Sequence, residues 1–443
     1  MKLSCLSNMG SETEVEQIVD KLQDFCDNFV QNHGMEKIHE KTAMVKQEVD
    51  STIAMLKTLE ERCQKTTFML QYARALNVLP DYSRECEDYL SKVVKRDPSI
   101  IRGWNLLGET FWKKGDIGAA KDCFEGGLKR KKDKVSLRSL SMVLRQLKAD
   151  KFGDEQKNVI SSVEMAKDAV GMDVEDGMSW YILGNAYLSL FFVTEQNPKV
   201  LAMALEAYSK AEKVEKRSTH NPDLHFNRAM AYRYEESYQL ALEGLTTADQ
   251  LDPTWGSPRT KINEIFNYLD KVNDLVEKKG KMKSKRLQNM IKSIKETNLG
   301  PYSGGSFTFN GKQQKLEYIP LSSLKEGANP EKVIMGKVVC NMADITLVPF
   351  TFAIIDHNGD CYAVTVYNLA RGKGMIIGDS VAIPEPFMTH HKIEWSVTAD
   401  SAKKWDFRNI RVDNPIVLIV NGRKLTQEHC GSTIAAMIPS QAS

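Results

Sequence analysis

The sequence predicts an all-α superhelix of repeated helical hairpins followed by a small all-β barrel, and three observations carry that prediction. The stretch Trp104-Asn105-Leu106-Leu107-Gly108-Glu109-Thr110-Phe111 writes W-x2-L-G-x2-aromatic, with Ala120, Phe124 and Leu128 following at helical spacing. The same pattern returns at Trp180-Tyr181-Ile182-Leu183-Gly184-Asn185-Ala186-Tyr187, followed by Ala204, Tyr208 and Ala211. After Gly300-Pro301 the apolar period changes from helical to alternating.

The first two observations are the offsets of a tetratricopeptide repeat, a 34-residue pair of antiparallel helices. Trp104, Leu107 and Phe111 share one face of a first helix, and Gly108 lets a second helix approach closely. Ala120 and Phe124 pack that second helix, and Gly115-Asp116 makes the turn.

Residues 1–10 are expected to be disordered, and 11–64 to form a helical cap. Ser11-Glu12-Thr13-Glu14 offers capping residues, and Val15, Ile18, Val19, Leu22, Phe25 and Phe29 form a stripe. Gly34 breaks it before a second stripe of Met44, Val45, Val49, Ile53, Leu56 and Leu59. Repeats fill 65–255, beginning with one in which Cys86, Leu90 and Val93 are core places. Trp104 and Trp180 lie 76 residues apart, two periods with a surplus of eight, so a degenerate repeat falls between them. Leu137, Leu140 and Leu144 supply its first helix, Ser162, Ala166 and Ala169 its second, and the surplus sits at 148–157. A second insertion falls at 192–198, and a further repeat runs through Arg228, Ala229, Tyr232, Ala241, Leu245 and Ala248 to Pro253.

Residues 256–299 read as a closing helix and a basic junction. In the barrel, 300–424, strands are expected at 333–340, 350–356, 361–369, 380–383, 407–412 and 416–420, with Asn358-Gly359 closing a hairpin. Short strands of this number with Gly336 in the first suggest a closed barrel of OB type. The polar residues 425–443 are expected to form a mobile tail.

The net charge of +2 in 443 residues predicts no partner by itself, so only local clusters can. The eight cysteines are scattered without a C-x2-C pair, which favours buried reduced thiols over disulfides or zinc. No apolar run reaches membrane-span length, and no membrane partner is expected. No G-x-S-x-G, P-loop or H-E-x2-H is present, and neither an enzyme nor a cofactor is expected. His390 and His391 are adjacent and diverge on a strand. Asp356, His357 and Asp360 sit in a turn sequence.

The first helix of each repeat lines the concave groove. The repeat alignment puts Arg138 and Arg145 at groove-facing places, with Tyr181 and Asn185 in the next repeat and Asp223, Phe226, Met230 and Arg233 in the one after. A guanidinium and a carboxylate on neighbouring repeats suit a short peptide bearing both signs. Arg145 fits a ligand carboxylate, Asp223 a ligand Arg or N-terminal amine, and Tyr181 and Phe226 an apolar side chain between them. The plainer alternative is a pair of solvated charges or one repeat-to-repeat salt bridge. The run at 278–286, with Lys283 and Lys285, reads as a nuclear address, a phosphate-binding patch or, as such runs usually are, a solvated helix face. A second cluster, Lys129-Arg130-Lys131-Lys132, lies between repeats. Tyr362, Tyr367 and Trp405 are candidate base-stacking aromatics of the barrel, although strands of this kind bury aromatics in any case.

Two insertions in the repeats, a Lys-rich junction and a terminal barrel together make the chain similar to the Strap family of stress-responsive tetratricopeptide-repeat activators. The similarity runs from about 77 to 423. Its most specific stretches are Lys134-Val135-Ser136-Leu137 with Ser141-Met142-Val143-Leu144-Arg145-Gln146-Leu147, residues 179–190, and Gly378-Asp379-Ser380-Val381-Ala382-Ile383-Pro384-Glu385-Pro386. The resemblance implies two roles. One is a transcription cofactor scaffolding an acetyltransferase coactivator complex in the nucleus. The other is cytoplasmic: reading the Met-Arg-Glu start of nascent tubulin at the ribosome, so that tubulin messenger RNA decays. It implies Arg145 and Asp223 as the peptide-reading pair, and Lys283 and Lys285 as ribosomal RNA contacts.

Overall fold

A computed structural model describes residues 2–148, 153–194, 196–304, 306–309, 312–342, 349–398 and 401–431. The chain forms two compact units that meet in sequence between Thr260 and Lys261.

The first unit is helical. It opens with α1 (Lys2–Asp27), α2 (Phe29–His33), a 3-10 turn over Met35–Glu40 and α3 (Lys41–Thr58). Val15, Val19 and Leu22 of the stripe bury against Val45, Val49 and Leu56, and against Phe68 and Tyr72 of the first repeat. Residues 1–10 were expected to be disordered, yet α1 begins at Lys2. Ser11 and its neighbours therefore lie inside the helix rather than at its start. No proline precedes them, and a lone Gly10 costs about 1 kcal/mol, too little to stop a helix.

Five hairpins follow: α4 (Lys65–Leu76) with α5 (Arg84–Arg96), α6 (Ile101–Lys113) with α7 (Ile117–Leu128), α8 (Lys134–Leu144) with α9 (Asp154–Met172), α10 (Gly177–Val193) with α11 (Pro198–Val214), and α12 (Pro222–Tyr234) with α13 (Tyr238–Leu251). Ser83, Asp116, Asp133, Asp176, Asn197 and Asn221 each cap a helix by accepting a backbone N–H. The repeat glycines act by close approach. A Cβ on Gly108 would lie 2.6 Å from the Phe124 ring, and one on Gly184 would lie 2.6 Å from the Tyr208 ring. Both signature tryptophans reach back six residues, Trp104 Nε1 donating to the Pro98 carbonyl at 2.9 Å and Trp180 Nε1 to that of Val174 at 2.8 Å. In the degenerate repeat Leu137, Leu140, Leu144, Ser162, Ala166 and Ala169 are all buried. Of its surplus, 149–152 lies outside the described residues.

The second unit starts within α14 (Gly256–Glu277) and continues through α15 (Ser284–Lys292) and a 3-10 turn at Glu296–Tyr302. Its strands are β1 (Ser306–Phe309), β2 (Lys312–Lys315), β3 (Glu317–Tyr318), β4 (Gly327–Ala328), β5 (Lys332–Asn341), β6 (Phe350–Ile355), β7 (Cys361–Val366), β8 (Ser380–Pro384), β9 (Phe387–Thr398), β10 (Ser401–Val412), β11 (Ile419–Val420) and β12 (Arg423–Lys424). β1 pairs with β2, and the main sheet runs β12-β11-β8-β5-β6-β7-β10-β9-β4. β7 and β10 are parallel, whereas β5–β6, β6–β7, β5–β8 and β9–β10 are antiparallel. β8 and β9 lie towards opposite ends of that order, with β5, β6, β7 and β10 between them, yet only Glu385 and Pro386 separate them in sequence. The sheet must therefore curl until they meet, and this one bent strand closes the OB-type barrel. Ile334, Val338, Phe352, Val364, Ile383 and Ile410 fill it.

Several sequence boundaries move. The strand expected at 361–369 stops at Val366, because Asn368 turns the chain at φ 56°. The one expected at 407–412 starts at Ser401, paired along its length with β9, of which the sequence marked only His390-His391. Buried His391 occupies a core place there and hides the alternation. Pro415 bends the expected strand 416–420 into a 3-10 turn, leaving only β11. The tail expected to be mobile from 425 is held as far as Cys430. Leu425 packs on the barrel core, and Cys430 bridges to Leu369. Residues 432–443 lie outside the described residues.

Candidate functional site

The groove-facing side chains converge where α8, α10 and α12 follow one another. Arg145 sits just past the end of α8, where its Nη1 donates to the hydroxyls of Ser141 and Ser162, both at 3.0 Å. Those two serines are fully buried and bond to each other at 3.0 Å. No carboxylate pairs with Arg145 among the described residues, and burial pulls its guanidinium down to about 10. Such a cation has lost water without gaining an anion.

Asp223 opens α12, where the Asn221 cap holds its backbone N–H at 3.0 Å. Its carboxylate has no hydrogen-bond or ion-pair partner among the described residues. Burial, and secondarily the charge of Asp252, push it up to about 6. Tyr181 links the two ends. Burial first and the Asp223 carboxylate second raise its phenol, while Arg145 opposes them. The side-chain amides of Asn185 and Asn227 oppose the rise as well. Asn185 Oδ1 in turn accepts from Tyr208 Oη at 2.8 Å and Asn227 Nδ2 at 3.0 Å. A cation, a phenol with two amides, and an anion thus lie in sequence across three repeats, the two charges without a counterion among the described residues.

Arg145, Tyr181, Asn185 and Asp223 are brought together as their repeat places predict. Arg138, Phe226 and Arg233 are not. Arg138 Nη1 pairs with both Asp176 oxygens, at 2.9 and 3.2 Å, locking it to the cap of the next repeat. Phe226 is 1% exposed and packs on Trp255 at 4.7 Å between centroids, so it lines no pocket. The cause is local. Among the described residues no further helical hairpin follows α13, and Trp255, which precedes α14, packs on Phe226 instead. Arg233 and Met230 are half-buried in the second half of α12. Sequence reasoning missed Ser141, Ser162, Tyr208 and Asn227, which position the site. Tyr208 was visible only as a repeat core residue.

The basic junction divides in two. Lys278 and Lys281 pair with Asp274, and Lys279 donates to the Gly359 carbonyl at 2.8 Å. Lys283, Lys285 and Arg286, on the cap and first turn of α15, are exposed and without a partner among the described residues. In the barrel Tyr362, Tyr367 and Trp405 are 6%, 2% and 3% exposed, which leaves no stacking face. Asp356 accepts from the backbone N–H groups of Asn358, Asp360 and Leu321, so the Asp-His-Asn-Gly-Asp stretch is a built turn.

Residues 315–434 match the family described as the tetratricopeptide repeat protein 5 OB fold domain. Tetratricopeptide repeat protein 5 of Homo sapiens is 45% identical over 93% of this chain and 92% of its own length. That of Mus musculus is 44% identical over 96% of each. Among solved structures, a thermophilic tetratricopeptide-repeat protein of Thermus thermophilus is 16% identical over 45% of this chain and 98% of its own, with a TM-score of 0.39.

Proposed function

Because the chain belongs to the tetratricopeptide repeat protein 5 family, we propose that it is an adaptor that reads the Met-Arg-Glu start of nascent tubulin in its repeat groove while docked on the ribosome. Tubulin messenger RNA decay is the outcome. One observation supports this most: Arg145 and Asp223 are desolvated, oppositely charged and unpaired among the described residues, and both act electrostatically on Tyr181. A ligand carboxylate completes the first, a ligand Arg or terminal amine the second. Exposed Lys283 and Lys285 are the proposed ribosomal RNA contacts. A nuclear role, scaffolding an acetyltransferase coactivator complex in the stress response, uses the same groove, so the protein works in nucleus and cytoplasm. A nucleic-acid-binding barrel is the weaker reading, because its candidate stacking residues Tyr362, Tyr367 and Trp405 are buried.

Fluorescence anisotropy with a Met-Arg-Glu peptide tests the groove. Arg145→Ala and Asp223→Ala should each weaken binding by roughly 1–3 kcal/mol, the cost of a charge-assisted hydrogen bond, and combine non-additively. Replacing the peptide's Arg by Glu should abolish binding. Full-strength binding by both variants would overturn the reading. Co-sedimentation tests the junction. Lys283→Glu with Lys285→Glu should release the protein from ribosomes and leave peptide affinity unchanged, and the wild-type association should fall steeply with salt.

A further inference from the structure

The N-terminal cap grips its two neighbours unequally. On the first repeat it is bound by a hydrophobic core of Val15, Val19, Leu22, Phe68 and Tyr72, and by buried Arg74, which pairs with Asp20 at 2.6 Å. On the far repeats it makes a second and slighter contact. Asp27, at the end of α1, pairs with Arg217 between α11 and α12 at 3.1 Å, and the turn Met35–Glu40 packs on α13. The two charged side chains of that pair remain 56% and 48% exposed. An ion pair so exposed contributes about 0–1 kcal/mol.

Between these attachments the cap overlies the groove. Gln23, one turn before Asp27, shares a cleft of about 440 Å³ with Arg102, Asn105 and Glu109 of α6 and with Val135, Arg138 and Ser139 of α8. Those are faces of first helices, the ones that line the concave surface. The start and end of the repeat array are thus joined across its inner side by a contact that costs little to break. Repeat arrays flex because each hairpin touches only its neighbours.

We propose that the contact of Asp27 and Met35–Glu40 with the last two repeats is a gate on the groove. It is closed in the free protein and opens at the Asp27–Arg217 pair to admit a peptide. This rests on the groove being the ligand's site, but the gate itself is measurable without a ligand. Ser139→Cys places a thiol in the covered cleft, and the rate at which a bulky maleimide reaches it in the full chain reports opening. Arg217→Glu sets a third carboxylate beside Asp27 and Glu215 and should raise that rate at least threefold with an unchanged melting temperature. Asp27→Lys added to Arg217→Glu should restore slow labelling. Asp27→Asn serves as a milder opening variant if Arg217→Glu folds poorly. Equal rates in all variants, or fast labelling in the charge swap, would overturn the gate. If labelling responds as expected and the Met-Arg-Glu peptide associates several-fold faster with the open variants, gate and groove reading both stand. If labelling responds but no variant binds the peptide, the reading of the ligand fails and the gate stands.

Discussion

Asp223 illustrates what a single residue gives up to be available. Its pKa is raised from 3.8 to about 6 by burial. The folded state therefore holds the proton more tightly than the unfolded one. Below about pH 4 both are protonated and nothing is lost. As pH rises through 4 to 6 folding stability falls, and above 6 the full cost remains. Asp223→Asn should therefore raise stability at pH 7, by on the order of 2 kcal/mol, and the gain should vanish at pH 4. Denaturant melts at the two pH values check this. Affinity for a ligand cation should run the other way, strengthening from pH 5 to 7 as the carboxylate ionises. Titrating the wild-type protein with a peptide carrying one Arg would show it. At this scale the sequence was half legible. Arg145 and Asp223 were readable because repeat places fix which side chains face the groove. Arg138 and Phe226 misled because place alone does not say that Asp176 or Trp255 has already taken the residue.

At the scale of elements the helices were easier to read than the strands. Gly108 and Gly184, the Phe124 and Tyr208 rings that pack on them, and the capping Asp and Asn residues are local signals, and the two tryptophan hairpins display them. The interlocking makes a sharp contrast between two glycines. Gly184→Ala drives a methyl into the fully buried Tyr208 ring and should destabilise by roughly 1–3 kcal/mol, net of better helix propensity. Gly171→Ala, in the last turn of α9 with nothing within 4 Å, should instead stabilise by about 0.5–1 kcal/mol. Thermal melts of the pair would show opposite signs, and two losses would mean that the space beside Gly171 is not open. The extent and pairing of β9 were illegible for the complementary reason. Its core face carries a histidine, and its pairing is decided by a strand that follows it in sequence.

For the molecule as a whole, the β unit begins before its strands do. Tyr268 of α14 bonds Thr351 at 3.0 Å, and Asp270 accepts from Trp405 Nε1 at 2.7 Å. Leu275, Leu287, Met290 and Ile291 cover Val339, Cys340, Ala353 and Ile355. A chain of residues 256–431 should therefore unfold in one cooperative transition. Residues 305–424 alone, which the strand pattern suggests are sufficient, should melt early and bind a hydrophobic dye. Equal melting of the two would show that the helices are dispensable.

The bent strand β8–β9 also sets an order of events. Hairpins that touch only neighbours can fold one after another as they leave the ribosome, each completing against the last. The barrel has no such freedom. β7 finds its parallel neighbour only when Asn409 to Val412 of β10 have been made, and β8 meets β11, its second partner, later still. Translation thus delivers the half that carries the groove well ahead of the other, and the closing of the barrel is a late, all-at-once step.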